Sequence, residues 1–179
     1  TLDLSTYLLP SDITGTVTYS VTSGSGDIDG SSVTFTGAGS IEVTASLAGD
    51  TNYTDGSTSV TITVSKAALT LRASDASKEY GTANPELKFV YDKLVNEDTS
   101  ISDLPTISTT AVLTSVVGEY PIELTGGSDA NYDITLEDGT LTVGKSSPSM
   151  SFTAIASQVY GSTLDLSTYL LPSDITGTV

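Results

Sequence analysis

Residues 119–143 read EYPIELTGGSDANYDITLEDGTLTV, and this stretch decides the fold class. Apolar residues recur at every second position, at Tyr120, Ile122 and Leu124 and again from Tyr132 onward. A period of two is typical of a half-buried β-strand, whereas an amphipathic helix has a period of about 3.6 residues. Gly and Asp separate the apolar runs and mark the turns between them. The stretch therefore predicts three consecutive short strands.

The same alternation extends to the rest of the chain, and no segment has helical spacing over three turns. Thr fills many outward positions, where a β-branched polar residue suits a half-exposed, pleated surface. Roughly six or seven short strands in about 80 residues, with turns about every 8–12 residues, predict a small antiparallel β-sandwich of the immunoglobulin type. The expected fold class is all-β, with such sandwich modules in tandem in an elongated array.

An exact repeat occupies the first and the last residues of the given sequence. Residues 1–17, TLDLSTYLLPSDITGTV, recur without a change at 163–179. The chain is therefore one full period followed by the start of the next, which is how a piece of a repeat array looks. Such a sequence reads as an excised segment of a longer protein.

A weaker repeat divides this period into two modules. Asn52-Tyr53 lies as far before Lys66 as Asn131-Tyr132 lies before Lys145, and Tyr80-Gly81 has a counterpart in Tyr160-Gly161. We therefore predict module A at residues 1–65, an immunoglobulin-like unit without its first strand, and module B at 66–145. Residues 146–179 are predicted to be the opening strands of the next module A, with the first of them at 149–158.

The composition excludes several classes of protein. The chain has no Cys and no His, which rules out disulfides, thiolate or imidazole metal sites and a Ser-His-Asp unit. The formal net charge of −16, from 22 acidic and 6 basic residues, opposes binding to the phosphate backbone of nucleic acids. No apolar run approaches the roughly 18 residues of a membrane span. The sequence thus predicts neither an enzyme nor a nucleic-acid partner nor membrane insertion by this segment.

Calcium is the one cofactor that the residues leave open, while the expected cofactor is none. Asp129, Asn131 and Asp133 alternate as the oxygen ligands of a calcium loop do. Against a site, no Gly follows at the sharp-turn position, and the Asn131-Tyr132 pair has a structural explanation. Tyr53 and Tyr132 resemble the corner tyrosines of immunoglobulin-like sandwiches, whose hydroxyl ties a loop to the backbone.

Module B resembles a known bacterial family over nearly its whole length. The stretches KAALTLRASDASKEYGTANPELKFVYDKL (66–94) and VVGEYPIELTGGSDANYDITLEDGTLTVGK (116–145) are similar to MBG repeats, the mostly-β, glycine-rich modules of large bacterial surface proteins. The matching pieces are Tyr80-Gly81, Asn84-Pro85, Gly118-x-Tyr120-Pro121, Asn131-Tyr132 and 139–143. Residues 48–64 of module A are similar to the closing segment of bacterial immunoglobulin-like repeats. The resemblance implies a secreted or wall-attached protein, and it implies no shared catalytic residue or cofactor.

The function expected from these features is mechanical. We predict a stalk or spacer repeat of an extracellular bacterial adhesin or fibre, whose partners are neighbouring repeats or identical subunits joined head to tail. In the second case, segment 146–162 of one chain would complete residues 1–65 of the next by strand addition. The alternative is a module that binds glycans or host proteins weakly and gains affinity by multivalency. A simple experiment distinguishes the stalk from the binding module, since only the binding module is expected to bind a defined sugar on a glycan array.

Overall fold

The computed structural model describes residues 1–8, 15–51, 53–166 and 169–172. This part of the chain is built from β-strands with a short 3₁₀ helix at Leu4–Tyr7 and contains no α-helix. The strands, in chain order, are β1 (Leu2–Asp3), β2 (Val17–Ser23), β3 (Gly26–Asp29), β4 (Ser32–Phe35), β5 (Gly39–Leu47), β6 (Gly56–Val64), β7 (Ala67–Ala73), β8 (Ala76–Glu79), β9 (Phe89–Tyr91), β10 (Thr106–Thr109), β11 (Gly118–Thr125), β12 (Tyr132–Glu137), β13 (Gly139–Gly144), β14 (Met150–Phe152) and β15 (Leu170–Pro172). The all-β class with several small antiparallel sheets is confirmed.

The strands of residues 1–65 form two antiparallel sheets, in the orders β1-β4-β3 and β2-β5-β6. Val33, Ile41 and Val43 are almost completely buried and form a small core with Leu4 of the 3₁₀ helix. Because Ile41 and Val43 alternate with Glu42 and Thr44 along β5, one face of this strand contacts the core. β5 and β6 pair over nine residues, from Gly39 opposite Val64 to Leu47 opposite Gly56.

The strands of residues 66–145 also form two sheets, in the orders β12-β7-β9 and β10-β11-β13-β8. The core between them contains residues of both sheets. Leu69 and Leu71 come from β7, whereas Ile122 and Leu141 come from β11 and β13. All four are buried at positions that the period-two pattern assigns to the inner face.

Module B contains two parallel strand pairs that the alternation does not predict. β7 runs parallel to β12, with Leu69 opposite Ile134, and β8 runs parallel to β13, with Leu141 opposite Ala76. The first strands of the module thus lie beside its last strands. Arg72 and Glu137 form an ion pair across the β7–β12 pair at its exposed surface. The two strands at the start of the module belong to different sheets: β7 lies between β12 and β9, and β8 lies at the edge beside β13.

The segment after module B differs from the prediction of one strand over 149–158. Only β14 forms there, and it pairs with β15 in an antiparallel hairpin, with Phe152 opposite Leu170. Residues 153–159 form no strand, although Thr153 N–H still donates to the carbonyl of Tyr169 at 2.9 Å. The corresponding part of module B is β8, which is a strand because β13 lies beside it. Its equivalent here has no such neighbour among the described residues.

Candidate functional site

The junction of the two modules is short. β6 ends at Val64 and β7 begins at Ala67, so only Ser65 and Lys66 connect them. The Lys66 ammonium donates to the backbone carbonyl of Asp129 at 2.7 Å. The N–H of Ala67 donates to the carbonyl of Asn131 at 2.8 Å. The connecting residues are therefore held against the loop that precedes β12.

Asn131 links the two modules directly. Its side-chain oxygen accepts a hydrogen bond from the N–H of Ala38 at 2.9 Å. Ala38 lies in the turn before β5 of module A, whereas Asn131 lies just before β12 of module B. A small cavity of about 100 Å³ at this place is lined by residues of both modules, among them Phe35, Val64 and Val95. Module A and module B thus meet along a surface as well as through the connecting residues.

Asp129 holds the loop that carries Asn131. Its carboxylate accepts from the N–H and the hydroxyl of Ser102 at 2.9 and 2.8 Å, and from the N–H of Asn131 at 2.7 Å. The hydrogen bond from Asn131, followed by those from Ser102, keeps the pKa of Asp129 below its usual value. The charged carboxylate therefore fixes the backbone from which the Asn131 amide reaches module A.

The three calcium candidates have separate surroundings. Asp129 is bonded to Ser102, Asn131 to Ala38, and Asp133 lies exposed on β12. Among the described residues, no group of three or more acidic side chains is placed to hold a metal ion. Asp129 and Asn131 are explained by the junction that they build.

Tyr132 ties a second loop to the core of module B. Its ring is only 3% exposed, and its hydroxyl accepts from the N–H of Val95 at 2.9 Å. The same hydroxyl lies 2.9 Å from the Asp98 carboxylate and 3.1 Å from the Val95 carbonyl. Burial, followed by the hydrogen bond to Asp98, raises the pKa of Tyr132 above its usual value. The hydroxyl therefore ties the loop at Val95 to the core of module B, although its partner lies 37 positions earlier rather than a few residues upstream, as it does for a corner tyrosine.

Tyr53, the counterpart of Tyr132 in module A, has different surroundings. Its ring is 66% exposed, and its backbone N–H and carbonyl bond to Asp50. Tyr132 is covered because β7 pairs beside it, with Ala67 opposite Tyr132. No strand of the described residues takes that position beside Tyr53. The sequence likeness of the two tyrosines therefore does not extend to the placement of their rings.

The two Tyr-Gly pairs form the same kind of turn. Gly81 and Gly161 have φ of 81° and 85°, a left-handed conformation that favours glycine. The N–H of Tyr80 donates to the carbonyl of Gly144 at 2.9 Å, which ties the turn to the end of β13. Tyr160 is fully exposed. Both turns have formed, and within the part of the chain that the structure describes the first is attached to β13.

Lys78 is a structural residue that the sequence patterns did not reveal. It is 8% exposed, and its ammonium donates to the carbonyls of Val112 at 2.6 Å and Thr82 at 3.1 Å. Asn84 acts nearby in the same way, since its amide donates to the carbonyl of Ala111 at 2.6 Å. These contacts attach the Tyr-Gly turn to the loop before β11. A buried lysine gives no periodic signal, so only the three-dimensional arrangement identifies it.

Residues 69–142 match the family model of the MBG domain (YGX type). The predicted resemblance of module B to MBG repeats is thereby confirmed. This kind of domain occurs as a repeat in large bacterial surface proteins. No curated protein and no solved structure matches the chain. Within the described residues, no helix has the length and apolarity that a membrane crossing requires.

Proposed function

We propose that this chain is a stalk segment of an extracellular bacterial adhesin or surface fibre and that it has no catalytic role. The observation that supports a stalk is the fixed junction between modules A and B. A stalk must hold its two ends at a fixed distance and orientation, and modules joined by flexible linkers cannot do this. Here two connecting residues, the Lys66 contact and the Asn131–Ala38 hydrogen bond restrict the angle between the modules.

The junction needs no metal ion in this proposal. Its hydrogen bonds join the side chains of Asn131 and Lys66 to backbone groups, and the backbone of Ala67 to that of Asn131, so that protein groups alone form it. The acidic surface of the chain serves solubility, since a net charge of −16 makes neighbouring arrays repel one another. Strands of about 7–9 residues at about 3.3 Å per residue span roughly 23–30 Å, and with the loops at the ends of both modules we expect each A-B period to advance the stalk by roughly 70–80 Å.

Head-to-tail assembly by strand complementation is the second part of the proposal. Strand β6 lies at the edge of the β2-β5-β6 sheet, and edge strands accept additional strands. The segment 146–162 supplies an exposed apolar strand, β14, at the opposite end of the chain. A contact between two different surfaces does not close on itself, and it therefore produces a filament.

The stalk proposal is tested on chains of one, two and three periods. Small-angle X-ray scattering should show a maximum dimension that grows by a constant step with each added period. Residual dipolar couplings should give modules A and B one common alignment tensor. If the two modules align independently, or if the dimension grows as the square root of the number of periods, the stalk proposal is wrong. Binding of one purified period to a defined sugar on a glycan array would instead support the multivalent binding module.

A further inference from the structure

The first two strands of module B run in the same direction as its last two strands and lie directly beside them. β7 pairs in parallel with β12 through Ala67–Arg72. β8 pairs in parallel with β13 through Ala76–Glu79. The opening segment and the closing segment of the module are therefore bonded to each other along almost their whole length.

Asp75 continues this pairing across the gap between the two strand pairs. Residues 74 and 75 separate β7 from β8, and Asp138 separates β12 from β13. The Asp75 carboxylate accepts a hydrogen bond from the N–H of Thr140 at 2.8 Å. The two segments thus stay bonded at the point where both of them pass from one sheet to the other.

Hydrogen bonds to backbone carbonyls close both ends of this pairing. Three donors make these bonds at 2.7–2.9 Å: the Lys66 ammonium to Asp129, the N–H of Ala67 to Asn131, and the N–H of Tyr80 to Gly144. The bonded stretch therefore covers residues 66–80 on one side and 129–144 on the other. We call these two stretches the paired segments.

The direction of the paired segments decides how module B responds to tension. The chain enters the first segment at Lys66, after module A, and leaves the second segment at Lys145. Because the two segments are parallel, Lys66 lies at the start of the pair and Lys145 lies beyond its far end. Tension applied through these two residues therefore pulls the segments along each other in opposite directions.

Two paired strands resist this direction of pulling more than any other. When strands are pulled along each other, all the hydrogen bonds between them are strained together and must break almost at once. When strands are pulled apart from one end, the bonds break one after another, and each contributes only about 1 kcal/mol. Forced unfolding is governed by the unfolding barrier, so the first direction places most of the bonds behind a single barrier.

Contacts outside the pair also oppose the sliding of β7. On its other side β7 pairs with β9, with Leu71 opposite Tyr91. Leu69 and Leu71 are buried in the core of module B. The ion pair of Arg72 with Glu137 joins β7 to β12 at the surface. Sliding of β7 must therefore break bonds on both of its edges and expose part of the core.

We propose that module B has a mechanical function, in which the paired segments form a clamp that carries tension along the chain. The strands β9, β10 and β11 lie between the two segments in the sequence, so they bear no load until the clamp breaks. This function goes beyond the stalk proposal. The junction sets the orientation of the modules, whereas the clamp sets the force at which module B unfolds.

Single-molecule force spectroscopy on the full chain tests the clamp. Because the natural sequence contains no Cys, engineered cysteines define the points of attachment. Ser65→Cys with Ser146→Cys applies tension along the paired segments. Ser65→Cys with Ala130→Cys is the matched control, since it pulls the same segments apart from the end at Ala67. The three substituted residues are exposed.

At one loading rate, module B should unfold at a force at least about twofold higher in the first chain than in the control chain. Equal forces in the two chains would overturn the clamp. Such a result would leave the stalk proposal to its own test, because the common alignment of modules A and B does not depend on the direction of pulling.

Substitution of Asp75 separates the clamp from general stability. Asp75→Ala should lower the unfolding force of the first chain by roughly a quarter, because the Thr140 N–H loses its acceptor. Asp75→Asn retains an acceptor and should restore the force. Asn84→Ala removes a bond to Ala111 outside the paired segments and should change the force by less than about a tenth.

An equal loss from Asp75→Ala in both pulling directions would overturn the role of Asp75 in the clamp. A loss no greater than that from Asn84→Ala would overturn it as well. If Asp75→Ala prevents folding, the comparison of the two pulling directions still decides the proposal, since it leaves every residue that bonds across the pair unchanged.

Discussion

The side-chain oxygen of Asn131 accepts a hydrogen bond from the N–H of Ala38, a residue 93 positions earlier in the other module. The same Asn131 receives the N–H of Ala67 on its backbone carbonyl. One residue therefore contacts both the connecting segment and the neighbouring module. The Asn-Tyr pair has two separate tasks, since Asn131 fixes the junction and Tyr132 fixes the loop at Val95.

Replacing Asn131 with Ala should loosen the junction without unfolding either module. The change removes the acceptor of the Ala38 N–H but retains the backbone bonds of residue 131. We expect the two modules to show different rotational correlation times by ¹⁵N relaxation, with the unfolding midpoint of module B moved by less than about 3 °C. Asn131→Asp retains a side-chain acceptor and is the control. Equal correlation times in Asn131→Ala would show that this bond does not set the angle.

Tyr132→Phe should destabilise module B, because it retains the ring and removes only the hydroxyl. That hydroxyl bonds to Val95 and Asp98, and its loss leaves the Val95 N–H without its acceptor. We expect the melting temperature of module B to fall by roughly 5–15 °C in a scanning calorimeter. Tyr80→Phe, which changes a half-exposed ring in the same module, should move it by less than about 2 °C. Equal melting temperatures of Tyr132→Phe and the natural chain would show that the hydroxyl does not stabilise this loop.

The alternating pattern predicted which side of each strand is buried, but it did not predict which strands are neighbours. The buried positions of Leu69, Leu71 and Leu141 follow from periodicity, because one face of a half-buried strand must be apolar. The parallel β7–β12 and β8–β13 pairs do not follow from it, since a period of two specifies a face and not a partner. Strand neighbours depend on the chain path, which periodicity leaves open.

The residues of the junction were found by their sequence motif and explained by the structure. Asp129 and Asn131 stand out in the sequence as alternating oxygen ligands, yet their partners are Ser102 and Ala38. No local pattern links Asn131 to Ala38, because these residues are distant in sequence and lie in different modules. Tyr53 illustrates the opposite case, since its motif is that of Tyr132, yet its side chain is exposed and no strand of the described part of the chain covers it.

The pKa of Tyr132 predicts how the stability of module B depends on alkaline pH. The folded-state pKa is raised, because burial and the Asp98 bond favour the neutral phenol. The contribution of this group is therefore complete below the unfolded-state pKa of about 10 and is lost as the pH rises through the folded-state value. Chemical denaturation between pH 8 and 11 should show a midpoint that falls above pH 10. A Tyr132→Phe chain should show a smaller fall over this range, and equal slopes would contradict the prediction.

Lys78→Met should destabilise module B although it removes a buried charge. Methionine retains the apolar length of the side chain but leaves the carbonyls of Val112 and Thr82 without their donor. We expect a loss of about 1–3 kcal/mol in the free energy of unfolding, measured by urea denaturation. The control is Lys88→Met at an exposed lysine paired with Glu86, which should cost less than about 0.5 kcal/mol. A gain in stability from Lys78→Met would show that burial of the charge outweighs its two hydrogen bonds.

Gly139→Ala tests why the last strands of the two modules follow different paths. In module B the chain changes sheets between β12 and β13, where Asp138 accepts from the N–H of Leu124 at 3.0 Å. A Cβ at Gly139 would meet the carbonyl oxygen of Ala73 at 2.8 Å, and this oxygen is backbone that can move only with β7. In module A the equivalent residue is Val60, and β6 continues along β5 without a change of sheet.

We therefore expect Gly139→Ala to cost module B about 1–3 kcal/mol in unfolding free energy, because β7 must shift to admit the methyl group. Gly118→Ala on β11 is the matched control, since a Cβ there has no heavy atom within 4 Å. It should leave stability unchanged or raise it slightly, as Ala restricts the unfolded chain. Urea denaturation of the two variants measures the difference, and equal stabilities would mean that β7 does not require glycine at this position.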